Sequence, residues 1–401
     1  MTKHTLIGPF RQLLTMSGLP LKGALSDHQL EIIEEAGVVV AGGKVVATGK
    51  YQDLKERYAE AVHFVLEGDH VCMPGFIDAH THICFGGSRA NDYALRNAGK
   101  TYLEIAEAGG GIWDTVMQTR KASREKLVQR TAALARRHLN NGITTLEVKS
   151  GYGLTIAHEL KMLRAIKQAS TQVSCDLIPT CLAAHMLPKD FEGTAEEYLD
   201  EVSRVLFPKL IEEKLSTRID AFIEKSAFSS VQIKPYFEKA RQMGFDITVH
   251  ADQFTTGGSQ VAVDAKAVSA DHLEVSSQKE IKALAQSDTI ATALPGASMG
   301  LGCGFTPARK LLDAGAALAI ASDHNPGSAP MGDILMQAAV LGAFEKLSNA
   351  EVLAGITTRA AAALRLTDRG LLTVGQLADF SIFSTDNYQD ILYHQGTLKP
   401  C

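Results

Sequence analysis

GFIDAHTH, residues 75–82, runs from an apolar start into two histidines, His80 and His82, with one residue between them. Successive strand side chains face opposite sides, so residues two apart share a face and both imidazoles point the same way. Seven later stretches repeat the plan of an apolar or β-branched run ending in polar or glycine-rich sequence. They are GITTLEVKSGY (142–152), CDLIPTCLAAH (175–185), RIDAFIEKSAF (218–228), DITVHADQ (246–253), AVSADHLE (267–274), DTIATALPG (288–296) and ALAIASDHNPG (317–327). Between them lie stretches such as SREKLVQRTAALARRHLNN and AHELKMLRAIKQA, where Leu and Ala recur at helical spacing beside charged residues. Strand, turn and helix in repetition mark a parallel sheet with crossover helices, and eight such strands close a barrel.

The expected fold is therefore α/β, a (β/α)8 TIM-like barrel over residues 74–364. Outside it, EEAGVVVAGGKVVATG (34–49) reads as a hairpin with an Ala-Gly-Gly turn, and the C-terminal GLLTVGQLADFSIFSTDNYQDILYH alternates again. Each half is too short for a stable sheet alone, so residues 1–73 and 365–401 are expected to pair as a small β-sandwich domain formed from both chain ends.

Barrels of this class carry their chemistry at the C-terminal ends of the strands. His80, His82, Tyr152, His185, Glu224, His250, His272 and Asp323 all fall at or just beyond such ends. One mouth would gather them. A lone histidine on a strand is more often a satisfied core residue. Two at strand period, with His250 after DITV and Asp323 after LAIAS, form a ligand set for one metal ion. Three imidazoles and a carboxylate suit zinc or iron. A cation there lowers the pKa of bound water and polarises a carbonyl oxygen. Asp323 is placed to take a proton and return it to a leaving nitrogen, and His272 to hydrogen-bond the developing oxyanion or to act as a structural neighbour of the metal ligands.

The 401 residues are 45% hydrophobic, with 40 basic and 45 acidic residues interspersed to a net charge of -5, which excludes a disordered chain and offers no patch for nucleic acid. The N-terminal stretch lacks the unbroken apolar core of a secretion signal, and no segment has about 18 consecutive apolar residues, so a cytoplasmic protein without a membrane partner is expected. The six cysteines are scattered without a C-x2-C pair and read as reduced thiols; Cys84 is near enough to His82 to be weighed as a soft ligand. The GGG run at 109–111 lacks the lysine and strand context of a phosphate loop and reads as a loop or helix end.

PGFIDAHTH followed by the later His, His and Asp strand ends resembles the amidohydrolase superfamily. Within it, FGGSR, EVKSGYGL, AAHMLP, HADQF, SADHLE, LPGASMGLG and SDHNPGS resemble the imidazolonepropionase family over nearly the whole chain. The resemblance implies a barrel with a small β-sandwich, zinc or iron as cofactor, a homodimer, and a small-molecule substrate. That substrate would be 4-imidazolone-5-propanoate, opened with water to N-formimidoyl-L-glutamate. Its carboxylate calls for a planar guanidinium, and Arg89 is the candidate, against the alternative of a surface arginine paired with Asp92. Tyr152 and His185 match the family's substrate-binding positions. Asn325, Gly327 and Ser328, after Asp323, offer donors for carboxylates. One departure matters: deaminases of the superfamily carry HxxE after the fifth strand, whereas this chain reads His250-Ala251-Asp252-Gln253. Glutamine cannot shuttle a proton, and Gln253 is expected to orient the ring. Glu224, on the fourth strand, leaves a two-metal site open; Lys149, on the second, is misplaced for a carboxylated bridging lysine. A deaminase or another cyclic-amide hydrolase is the rival reading, with a metal-free scaffold behind it.

Overall fold

The computed structural model describes residues 3–100, 104–105 and 108–401. Its first strands are β1 (Thr5–Leu14), β2 (Ile32–Ala41), β3 (Lys44–Lys50), β4 (Val62–Val65) and β5 (Val71–Pro74). β2 and β3 form the expected hairpin. Ala41 pairs with Lys44, and both intervening glycines take positive φ, 58° at Gly42 and 74° at Gly43, which two-residue turns matching the twist of the strands require.

Eight parallel strands follow: β6 (Phe76–Asp78), β7 (Ile143–Lys149), β8 (Asp176–Ala184), β9 (Arg218–Phe222), β10 (Asp246–Ala251), β11 (Ser269–His272), β12 (Ile290–Ala293) and β13 (Leu318–Ile320). They lie side by side in chain order, all neighbours parallel. Closure between the first and last comes just beyond the strand ends. Thr81 bridges His324, His82 N donates to His324 O at 2.9 Å, and Asp323 N donates to His80 O at 3.0 Å. The segments that carry three of the four proposed ligands, His80, His82 and Asp323, are thus the segments that seal the barrel.

The strands stop earlier than their apolar runs suggest. β7 ends at Lys149, and Gly151 with φ 101° turns the chain where a Cβ would strike Leu182. β9 ends at Phe222, after which Ile223 and Phe228 bridge a turn with Glu224 inside it. The crossover helices are set as the sequence indicates. Ser123 caps helix Arg124–Leu139 and Thr155 caps helix Ile156–Ser170, each accepting a backbone N–H of the first turn. The first helix buries Leu127, Val128, Thr131, Ala132 and Ala135, a stripe at helical period facing the barrel. Gly111, with φ 82°, precedes helix Ile112–Lys121, so the GGG run is a helix start.

After the barrel, β14 (Phe380–Phe383) pairs antiparallel with β5. Just before it, Leu377 bridges Lys44 of β3, so one C-terminal segment pairs with β5 through β14 and with β3 through Leu377, joining the two ends of the order β14-β5-β1-β2-β3. The small domain is therefore one sheet curled on itself around Phe10, Leu13, Val38, Val45, Cys72 and Leu372. The rest of the C-terminal stretch departs from strand: Gln389–Tyr393 is helical. Among the described residues no helix is long and apolar enough to cross a membrane.

Candidate active site

β6 and its extension deliver His80 and His82, β10 delivers His250, and the residues after β13 deliver Asp323. His82 Nε2 lies 3.2 Å from His80 Nε2 and 3.3 Å from His250 Nε2. Asp323 Oδ1 lies 3.4 Å from His82 Nε2 and 3.6 Å from His80 Nε2. Ligands at about 2.0–2.1 Å around one tetrahedral ion stand roughly 3.3 Å apart, so the three histidines fit one ion, with Asp323 beside two of them. Their chemistry also fits. Burial holds the imidazoles neutral, pushing His80 and His82 well down and His250 to about 3 against the opposing pull of Asp220. Neutral imidazoles aim lone pairs at one point, beside a carboxylate oxygen. A cation resolves their repulsion.

Behind the histidines lies a second layer that the sequence reading missed. His80 Nδ1 donates to Asp271 Oδ2 at 2.7 Å, and His250 Nδ1 sits 3.0 Å from Asp220 Oδ2. Such partners fix which ring nitrogen faces the metal. Lys149 ties them together, with Nζ 2.8 Å from Asp220 Oδ2, 2.8 Å from Glu147 Oε1 and 4.0 Å from Asp271 Oδ2. All four side chains are buried; burial alone would discharge Lys149, but Asp220, Glu147 and Asp271 together raise its pKa. The available signal was charge on strands whose other residues are apolar, as in RIDAF and TLEVK.

Asp323, whose carboxyl burial pushes up to about 6 against His272 and Asn325, is held on its other oxygen: Asn325 Nδ2 donates to Oδ2 at 2.9 Å. Asn325 Oδ1 accepts the N–H groups of Gly327 at 2.7 Å and Ser328 at 2.8 Å. The turn 323–328 therefore uses its donors internally, positioning Asp323. His272 reaches the mouth by breaking strand alternation. Asp271 and His272 are neighbours, and φ of 85° at His272 brings its ring within 5.3 Å of the His250 ring. Burial lowers its pKa, but Glu274, 3.2 Å from Nδ1, and Asp323 outweigh it and the net shift is upward. Left-handed backbone at Asp252, His272, Leu273 and Asp323 concentrates at this rim.

His185 and Tyr152 line the other side, both buried, with ring centres 5.8 and 5.9 Å from His82. His185 Nδ1 donates to Gly151 O at 2.9 Å, leaving Nε2 as its free nitrogen. Burial, then Asp323, raise the pKa of Tyr152, while the charge of Arg89 lowers it. Arg89 is half-buried, with its side chain only 9% exposed and its Nε bonded to Asp92, which also accepts Gly111 N at 2.9 Å. Gln253 is half-buried beside the mouth and makes no side-chain hydrogen bond among the described residues. Glu224 is engaged elsewhere: its oxygens accept Phe254 N and Thr255 N at 3.0 Å each and Lys225 N at 2.9 Å, and it is outside the three-histidine cluster. Cys84 is a buried thiol that burial pushes up to about 12, also outside the cluster.

The amidohydrolase family model matches residues 71–397. An imidazolonepropionase of Alkaliphilus oremlandii is 36% identical over 391 residues, covering 96% of this chain and 92% of the relative. One from Bacillus mycoides is 39% identical over 398 residues, covering 98% and 93%. Among solved structures, an adenosine deaminase from Xanthomonas campestris with bound zinc superposes with a TM-score of 0.72 at 20% identity, covering 99% of this chain and 89% of that one. A zinc complex of atrazine chlorohydrolase from Arthrobacter aurescens gives 0.71 at 17% identity, covering 96% and 88%. At those identities the structural likeness speaks for the fold alone. With the family model matching most of its length and relatives more than one-third identical along nearly the whole of both chains, this protein belongs to the amidohydrolase family and, within it, to the imidazolonepropionases.

Proposed function

We propose that this protein hydrolyses the cyclic amide bond of 4-imidazolone-5-propanoate to N-formimidoyl-L-glutamate. The observation that carries the reading is the convergence of His80, His82, His250 and Asp323 at the mouth of a chain whose near-full-length relatives are imidazolonepropionases. One zinc or iron ion held by those four residues would supply a Lewis acid for the ring carbonyl and activate water. Asp323, fixed through Oδ2 by Asn325, takes the proton of the attacking water and returns it to the departing ring nitrogen. His272, backed by Glu274, donates to the oxygen that gains charge. Arg89 receives the propionate carboxylate, while Tyr152, His185 and Gln253 bound the ring; Gly327 and Ser328 hold the Asp323 turn and lie along the path of the new carboxylate. The near-complete burial of Tyr152, His185 and His272 keeps bulk water from the reacting bond. A cytoplasmic homodimer completes the proposal, with sedimentation as its check.

The test combines metal analysis with the disappearance of freshly prepared imidazolonepropionate. Stoichiometric metal and ring opening are expected. Metal-loaded protein that leaves this compound intact and deaminates a purine or pyrimidine would sink the reading in favour of its rival.

A further inference from the structure

A second cavity, of about 370 Å³, opens between helix Ala90–Asn97, helix Arg124–Leu139 and the loop 324–330. None of His80, His82, Tyr152, His185, His250 or His272 lines it. Three arginines do, namely Arg89, Arg130 and Arg137, and no lining residue is acidic. Arg130 and Arg137 are two helical turns apart and so share one face of their helix. Each is anchored along one edge. Arg130 Nη1 donates to Gly87 O at 2.7 Å, with its guanidinium 4.0 Å from the Phe85 ring centre, and Arg137 Nη2 donates to Met331 O. Among the described residues neither has a carboxylate within ion-pair distance. Arg89 is bonded to Asp92, which does not line the cavity. His324 adds no acceptor at Nδ1, which bonds His138 Nε2 at 2.8 Å.

Three guanidinium groups around one concavity, with no acid among its lining residues, create a positive potential that a bound anion would relieve. The fixed fork of each guanidinium suits two oxygens on one centre. We propose that this cavity binds a small dianionic oxyanion, a phosphate or a short dicarboxylate, on the free edges of Arg130 and Arg137 with Arg89 as inner wall. Its volume accommodates either. Because Arg89 and Asn325 line this cavity as well as serving the mouth, occupancy should raise the KM for an anionic substrate. That consequence rests on the function proposed above; the binding itself does not.

The experiment is calorimetric titration of metal-loaded protein with inorganic phosphate and, separately, with glutarate at low ionic strength, alongside turnover measured without added anion. One saturable site per chain is expected, weakened about tenfold or more in the double variant Arg130→Gln/Arg137→Gln with metal content unchanged. Tighter phosphate binding identifies a free phosphate-like ligand, tighter glutarate binding a dicarboxylate. Should the double variant fail to fold, Arg130→Lys and Arg137→Lys keep the charge and lose the fork, and each should still weaken binding measurably. No saturable heat with either anion, or equal affinity in the variants and wild type, would overturn the site. Binding without ring-opening activity would instead count against the proposed function alone.

Discussion

Lys149→Met removes the one cation shared by Glu147, Asp220 and Asp271 while keeping a side chain of similar length. Breaking a buried ion cluster by deleting one partner costs about 3–5 kcal/mol, because the remaining charges stay buried without compensation. The metal site should feel it unequally. Lys149 Nζ is 2.8 Å from Asp220, which sits against His250, but 4.0 Å from Asp271, which holds His80. Most of the damage should therefore travel through Asp220 to His250. Loss of an orienting partner of a ligand histidine typically lowers metal affinity about 10- to 100-fold, and the variant should fall in that range and resemble Asp220→Asn more than Asp271→Asn. The assay is zinc competition against a chelating indicator, paired with the unfolding midpoint of the metal-free protein. If the midpoint drops while zinc affinity stays at the wild-type value, Lys149 braces the barrel and does not position ligands.

Replacing His250 or Asp323 by Ala should remove most metal or nearly all activity while the barrel still folds, as read by metal analysis and circular dichroism; full turnover in Asp323→Ala would remove it from the mechanism. Arg89→Ala should lower kcat/KM for imidazolonepropionate by roughly ten- to a hundredfold, the worth of a charged hydrogen-bonded contact, while an analogue lacking the propionate carboxylate is turned over equally by both proteins. Equal loss on both compounds would make Arg89 structural. Gln253→Glu should create no guanine deaminase activity, since the pocket beside Arg89 is set for an anionic tail, and robust ammonia release from guanine would refute that. Gly300→Ala should disturb the turn that holds Asp323, because a Cβ there would come within 1.6 Å of Ser328 O; an unchanged unfolding midpoint and unchanged turnover would show that the turn yields freely.

The sequence by itself determined the barrel and pointed to the candidate metal ligands. Strands buried on both faces must be apolar throughout, so all eight runs stand out, and ligands at strand ends interrupt them visibly in DAHTH, DITVH and LAIASD. The glycine turn of the N-terminal hairpin was equally plain, since two positive φ values in succession demand such residues. What only the tertiary structure decided were interactions between strands distant in sequence. Nothing in RIDAF, SADH or TLEVK says that Asp220, Asp271, Glu147 and Lys149 meet, because that meeting depends on strand register and on closure of the barrel. The ring of His272 turns on a backbone reversal at φ 85° that strand alternation argues against. Asn325 read as a free carboxylate donor and is instead a strut of Asp323, because a short polar turn satisfies its own groups first. Glu224 read as a possible second ligand and lies folded into the loop after β10. Local pattern encodes which residues are polar at the mouth; only packing decides which of them face one another.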